Sequence, residues 1–152
     1  MSGARALRDA GATVEVGVID ETRVPGASAA FLDRCAANGL EARVWPTSAR
    51  IDLALVGRFR ADARNARWDV VHAHGYKAAM VAALGAPRRT ALFATHHGHG
   101  GQGRKVLAYV AVSLAAYARM DGVFAVSEAT AASLRRLGGA CLRGEVLHNF
   151  LS

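Results

Sequence analysis

The chain has 152 residues, 52% of them hydrophobic and 20% charged, which is a globular composition sized for one domain and excludes a disordered or fibrous class. Its formal net charge is +7, and lysine occurs only at Lys77 and Lys105, so arginine carries nearly all of the positive charge. An anionic partner such as a phosphate or an acidic membrane surface fits that charge, and so does a plain bias toward arginine and alanine; the arginines are scattered and not interleaved with aromatics, which argues against nucleic acid.

The amino-terminal MSGARALRDAG has no apolar stretch of the secretory-signal kind. Within it, Ala4–Ala10 reads as the last turns of a helix. A strand is expected over Thr13–Ile19 (TVEVGVI), then a helix near Ser28–Ala37, a strand over Glu41–Trp45 and a helix over Ile51–Asn65. Strands follow at Asp69–His74 (DVVHAH), Ala91–Thr95 (ALFAT), Gly122–Val126 (GVFAV) and Glu145–His148 (EVLH). Helices fill the gaps at Lys77–Leu84, Lys105–Met120 and Glu128–Leu137. Ser127 is placed to cap the last helix, which stops at Gly138-Gly139. Several strands are continuous apolar runs, which predicts burial on both faces of a parallel sheet. The alternation predicts one doubly wound, mostly parallel, Rossmann-like α/β domain over residues 1–152. A strand normally precedes an opening helix, and the chain stops four residues after EVLH, so both ends look cut.

Cys35 and Cys141 have neither metal spacing nor a disulfide pattern, as suits a reducing cytoplasm. The most apolar window, Val106–Ala118, is too short to span a bilayer. It reads as a buried helix or as one lying on a membrane surface between Arg104-Lys105 and Arg119.

Ligands of open α/β sheets bind at the carboxyl ends of the strands. There the polar residues collect: His72, His74 and Gly75; Thr95, His96, His97 and a loop GHGGQG over residues 98–103; Ser127 and Glu128; His148 and Asn149. Three chemistries compete for this edge. A metal site would use the His-x-His pair with the loop histidines, but no HExxH and no carboxylate other than Glu128 accompanies them. A dinucleotide loop would use Gly98-His99-Gly100-Gly101-Gln102-Gly103, although that fingerprint belongs on a first strand and this one follows a middle strand. A phosphate- and sugar-handling cleft uses all four strand ends together, with loop N–H groups for anions and histidine for protons and hydrogen bonds.

Four motifs in order resemble one family. Residues Asp69–Gly75 (DVVHAHG), Thr95–Gly98 (THHG), Asp121–Glu128 (DGVFAVSE) and Val146–Asn149 (VLHN) look like the amino-terminal, acceptor-side domain of family-4, GT-B fold, retaining glycosyltransferases. The resemblance implies that His97 is the catalytic-site histidine facing acceptor and reacting sugar, that His74 lines the acceptor side with Gly75, Thr95 and Gly98, that Ser127 caps the next helix beside the substrate, and that Asn149 sits at an interdomain hinge. His96 and His99 gain no role and read as loop residues. The implied reaction moves a sugar from a nucleotide-diphosphate sugar to a glycan or lipid-linked acceptor with retention. It needs no metal or other cofactor, takes place in the cytoplasm with the domain possible on the inner membrane face, and requires a carboxyl-terminal donor-binding domain that this chain lacks. After Asn149 the sequence reads Phe150-Leu151-Ser152 where the family has Gly-Val-Asp. The other reading is a non-catalytic Rossmann-like module for a phosphorylated small molecule.

Overall fold

The computed structural model describes residues 2–98, 104–138 and 146–147, and it divides into two compact units, residues 1–55 and 56–152.

The first unit opens with α1 (Ser2–Asp9), then β1 (Glu15–Glu21), α2 (Ala29–Ala37) and β2 (Glu41–Thr47). The two strands pair in parallel, with Ile19 beside Trp45 and Gly17 beside Arg43. The Trp45 ring lies against Gly17 so closely that an added Cβ would be 2.6 Å from ring carbon Cζ3, so any larger residue there would have to displace the ring. Arg8 ties α1 down by donating to the carbonyls of Asn38 at 2.6 Å and Gly39 at 3.2 Å. Val18, Cys35, Leu40, Trp45 and Leu55 form its buried apolar set. Asp52 starts α3 (Leu53–Asn65): one carboxylate oxygen accepts the Leu55 N–H at 2.9 Å, the other the Thr47 hydroxyl at 2.8 Å.

The second unit continues from within α3 through β3 (Val70–His74), α4 (Tyr76–Gly85), β4 (Ala91–His96), α5 (Arg104–Tyr117), β5 (Gly122–Ala125) and α6 (Glu128–Gly138). Its strands form a parallel sheet in the order β3-β4-β5, and Val146 adds a parallel bridge to Ala125. The expected adjacency of the four carboxyl-terminal strand segments is therefore observed; of the last, only Val146 and Leu147 fall among the described residues.

The alternating helices and parallel strands match the expected Rossmann-like α/β class, with the strands pairing as two small sheets. Burial on both faces holds less well. Leu92, Ala94, Val123, Ala125 and Ala73 make one face of the β3-β4-β5 sheet dry. On the other, imidazoles at alternate positions keep His72 and His74 exposed, and Phe93 and Phe124 are only partly covered. Val70, at the outer strand, is 56% exposed. The apolar runs are read correctly as strands, but histidine at every second position of β3 leaves one face wet.

Asp121 shows how a motif residue can be structural. Its carboxylate accepts the Leu92 N–H at 2.7 Å and its own N–H donates to the Leu92 carbonyl at 2.7 Å, starting the β4–β5 ladder. Asp121→Ala leaves a strand N–H without its charged acceptor. It is expected to lower unfolding stability by about 1–3 kcal/mol, read as a shift in the urea midpoint at unchanged slope.

Candidate functional site

Strand alternation sorts the polar residues by face. His72 and His74 of β3, Phe93 and Thr95 of β4, and Phe124 of β5 share one side, and His97 continues that side past the end of β4. The parallel register sets His74 beside Thr95 and Thr95 beside Phe124. Three imidazoles and a hydroxyl then meet. His72 Nε2 lies 2.7 Å from Thr95 Oγ1, and the His72 and His74 rings stack with centroids 4.7 Å apart and planes 17° apart. His74 Nδ1 lies 3.4 Å from His97 Nε2. Phe124 flanks the cluster, its ring centroid 5.7 Å from that of His72.

These rings resist protonation. Crowding by protein atoms pushes the pKa of His74 down to about 4, and charge repulsion from His72 and His97 adds to it. His72 is lowered by the same crowding, with His97 adding repulsion. Both rings still reach solvent, so crowding here is one-sided and the shift converts to stability at a discount. At neutral pH both are neutral rings, each able to donate from one nitrogen and accept at the other. The linkage sign follows. The unfolded chain takes up these protons below about pH 6.5 and the folded chain does so later, so the folded state is favoured above that pH and loses stability as pH falls toward 4. The loss is expected to be roughly 1 kcal/mol after solvent screening. Urea midpoints at pH 7 and pH 4.5 should differ by less in His72→Gln/His74→Gln than in the parent chain.

Two glycines set the edge. Gly75, with φ of 80°, turns the chain from β3 into α4, and its N–H reaches the Thr95 carbonyl at 3.5 Å. Gly98, with φ of 84°, turns the chain away from β4 just after His97. Both angles lie in the left-handed region that a side chain would strain. A Cβ at Gly98 would come within 3.8 Å of Thr130 Oγ1. Ser127 caps α6 as expected, its hydroxyl oxygen accepting the Thr130 N–H at 3.2 Å and lying 2.9 Å from Thr130 Oγ1. The first turn of α6 thus borders the Gly98 turn.

His74, Gly75, Thr95, His97 and Gly98 are therefore brought together, with Ser127 one hydrogen bond behind. Asn149, His99 and the rest of the glycine loop lie outside the described residues, as does Cys141. His96 corrects the expectation of a loop residue: it is the last residue of β4, 5% exposed, with Nδ1 3.0 Å from the Tyr117 hydroxyl. Its burial follows from parity, since it shares the dry face with Leu92 and Ala94. Thr130 and Phe124 were also missed. The Ser-x-x-Thr spacing from Ser127 was the available signal for the first, and the β4–β5 register, invisible in sequence, for the second.

Among the described residues, no group of three or more His, Cys, Asp or Glu side chains is arranged to hold a metal ion. No helix among them is long and apolar enough to cross a membrane. The first unit has a groove of about 380 Å³ at the carboxyl end of β1, lined by Asp20, Val24, Ser28 and Phe31 among others; there Asp20 accepts the Ser28 hydroxyl at 2.6 Å. It holds none of the histidines.

The profile of Glycosyltransferase Family 4 matches residues 3–151. No curated protein matches the chain. Among solved structures, the crystal structure of Anabaena Alr3699/HepE in complex with UDP superposes with a TM-score of 0.69 at 17% identity, over 90% of this chain and 44% of that one. At that identity the likeness is one of fold. This chain spans less than half the length of its structural relative.

Proposed function

The chain belongs to glycosyltransferase family 4, and from that premise we propose that it is the acceptor-side half of a two-domain retaining glycosyltransferase. The observation that carries the reading is the convergence of His74, Thr95 and His97 at the carboxyl edge of β3 and β4, next to the Gly98 turn. In the reaction a C–O bond forms between an acceptor hydroxyl and the anomeric carbon, on the face from which the nucleoside diphosphate leaves. The departing phosphate takes the bond pair and the hydroxyl's proton. His97 hydrogen-bonds the transferring sugar or its phosphate, and His74, neutral at working pH, receives an acceptor hydroxyl. The N–H groups at the Gly98 turn favour developing negative charge.

A carboxyl-terminal domain beyond residue 152, with Asn149 at the hinge, would hold the donor and stabilise the diphosphate without a metal. The acceptor is a glycan or a lipid-linked sugar, and a cytoplasmic domain resting on the inner membrane face through Val106–Ala118 would reach the latter. A structural relative that holds UDP makes uridine-diphosphate sugars the first donors to try.

The test is transfer of labelled sugar from a panel of nucleotide-diphosphate sugars by the protein extended to its natural ends. Transfer with the anomeric configuration kept supports the reading. A folded full-length protein that neither transfers nor hydrolyses any donor would instead be a binding module for a phosphorylated small molecule.

A further inference from the structure

Behind the exposed histidine face, on the dry side of the same sheet, lies a second set of polar residues that the reaction above does not use. Ser113 and Tyr117 stand one turn apart on α5, 1% and 2% exposed, so they share a helix face. Tyr117 presents its hydroxyl to His96 Nδ1 at 3.0 Å, ring edge to ring face, with planes at 82°.

We propose that Tyr117 and His96 form a directed hydrogen-bond relay that makes His96 a positioning residue for His97. The proton order follows from what each group can give. Burial holds Tyr117 as a phenol, its pKa pushed up to about 12. A phenol this deeply buried must place its proton on an acceptor, and His96 Nδ1 lies 3.0 Å from its oxygen. Nδ1 accepts, and the ring's proton resides on Nε2.

The relay acts where it matters. The His96 carbonyl accepts the Val126 N–H at 3.3 Å, and its side chain is held by Tyr117, so both main chain and ring are fixed at the last residue of β4. The next residue is His97, on the opposite face, and the one after is the Gly98 turn. A small rotation at His96 swings the His97 ring relative to His74. Misplacing a reacting group by about 1 Å can cost on the order of 100-fold in rate. This role rests on the reading of His97 as substrate-facing; the relay itself does not.

Two readouts in the full-length protein separate those claims. The first is nitrogen-15 histidine spectra, which report which ring nitrogen carries the proton. His96 is expected to show a protonated Nε2 and a bare Nδ1, and Tyr117→Phe to redistribute that proton and broaden the His97 signals. The second is transfer kinetics at a temperature where circular dichroism shows every variant folded. Tyr117→Phe and His96→Leu should lower kcat about tenfold with donor KM unchanged, and His96→Asn, which keeps an acceptor near the Nδ1 position, should recover most of it. A wild-type His96 protonated on Nδ1, or His97 signals indifferent to Tyr117→Phe, overturns the proposal whatever the transfer assay reads. Equal loss in His96→Asn and His96→Leu also overturns it, because simple packing would then explain both. Spectra that change as described without detectable transfer keep the relay and remove the glycosyl-transfer reading.

Discussion

His97→Ala is expected to lower kcat/KM for glycosyl transfer by about 100- to 1,000-fold, the usual loss when one preorganised donor to developing charge is removed. Stability should hardly change. His97 is exposed, lies beyond the last residue of β4, and has its Nε2 3.4 Å from His74 Nδ1. Exposed changes of this kind alter folding by about 0.5 kcal/mol or less. Activity and melting temperature should therefore separate cleanly in this variant. His97→Gln, which keeps a donor at similar reach, should recover part of the rate. Undiminished transfer by His97→Ala would remove the residue from the reaction and leave the cluster to hold substrate through His74 and Thr95.

The largest expected loss of stability comes from Leu92→Ala. Leu92 is 0% exposed near the start of β4, the middle strand of its sheet, on the dry face with Ala94, Val123 and Ala125. Its main chain is already engaged with Asp121 on both sides. Its neighbours across the sheet face, Val71, Ala73, Ala94 and Val123, are all small, and such side chains cannot swing far into the space a leucine leaves. The cost should fall in the range of about 2–5 kcal/mol for a buried leucine truncation, a large share of a typical domain's margin. Chemical denaturation of parent and variant measures it. A loss under about 1 kcal/mol would mean that this face is loosely packed and that the sheet is held mainly by its ladder.

These two variants touch residues only five apart in the chain, yet one is expected to affect chemistry and the other the fold. That division was partly legible in the sequence. Strand alternation from Leu92 puts Ala94 and His96 on one face and Phe93, Thr95 and His97 on the other. The hydrophobic periodicity located each strand and helix to within a few residues: Glu41 and Ala91 as strand starts, Ala37 and Asn65 as helix ends, Ser127 as a cap. These features are local. A cap needs a hydroxyl three residues before an N–H, and a strand needs only its own run of apolar residues. The four ordered motifs pointed to family 4, and the profile match over residues 3–151 agrees.

What escaped was non-local. DVVHAH and ALFAT read as continuous apolar strands, and nothing in either says that the His72 side stays wet while the Leu92 side is dry. That depends on which helices cover which face. His96 looked like one of a run of loop histidines, because its neighbours His97, Gly98 and His99 dominate the local composition. Its actual partner, Tyr117, is 21 residues away and belongs to a stretch whose apolar character had suggested only a buried or membrane-lying helix. Asp121 read as part of a family motif, while its contact with the Leu92 N–H required the β4–β5 register.

By itself, then, the sequence determined the α/β alternation, the element boundaries, the family and the strand edge where polar residues gather, because propensity, periodicity and capping act over a few residues. Only the tertiary structure decided that His72 meets Thr95 and stacks on His74, that His74 in turn meets His97 and is held neutral, and that His96 turns inward to Tyr117. Contacts, burial and the pKa values they shift depend on pairing between segments distant in the chain, and no local pattern encodes which face of a strand another element will cover.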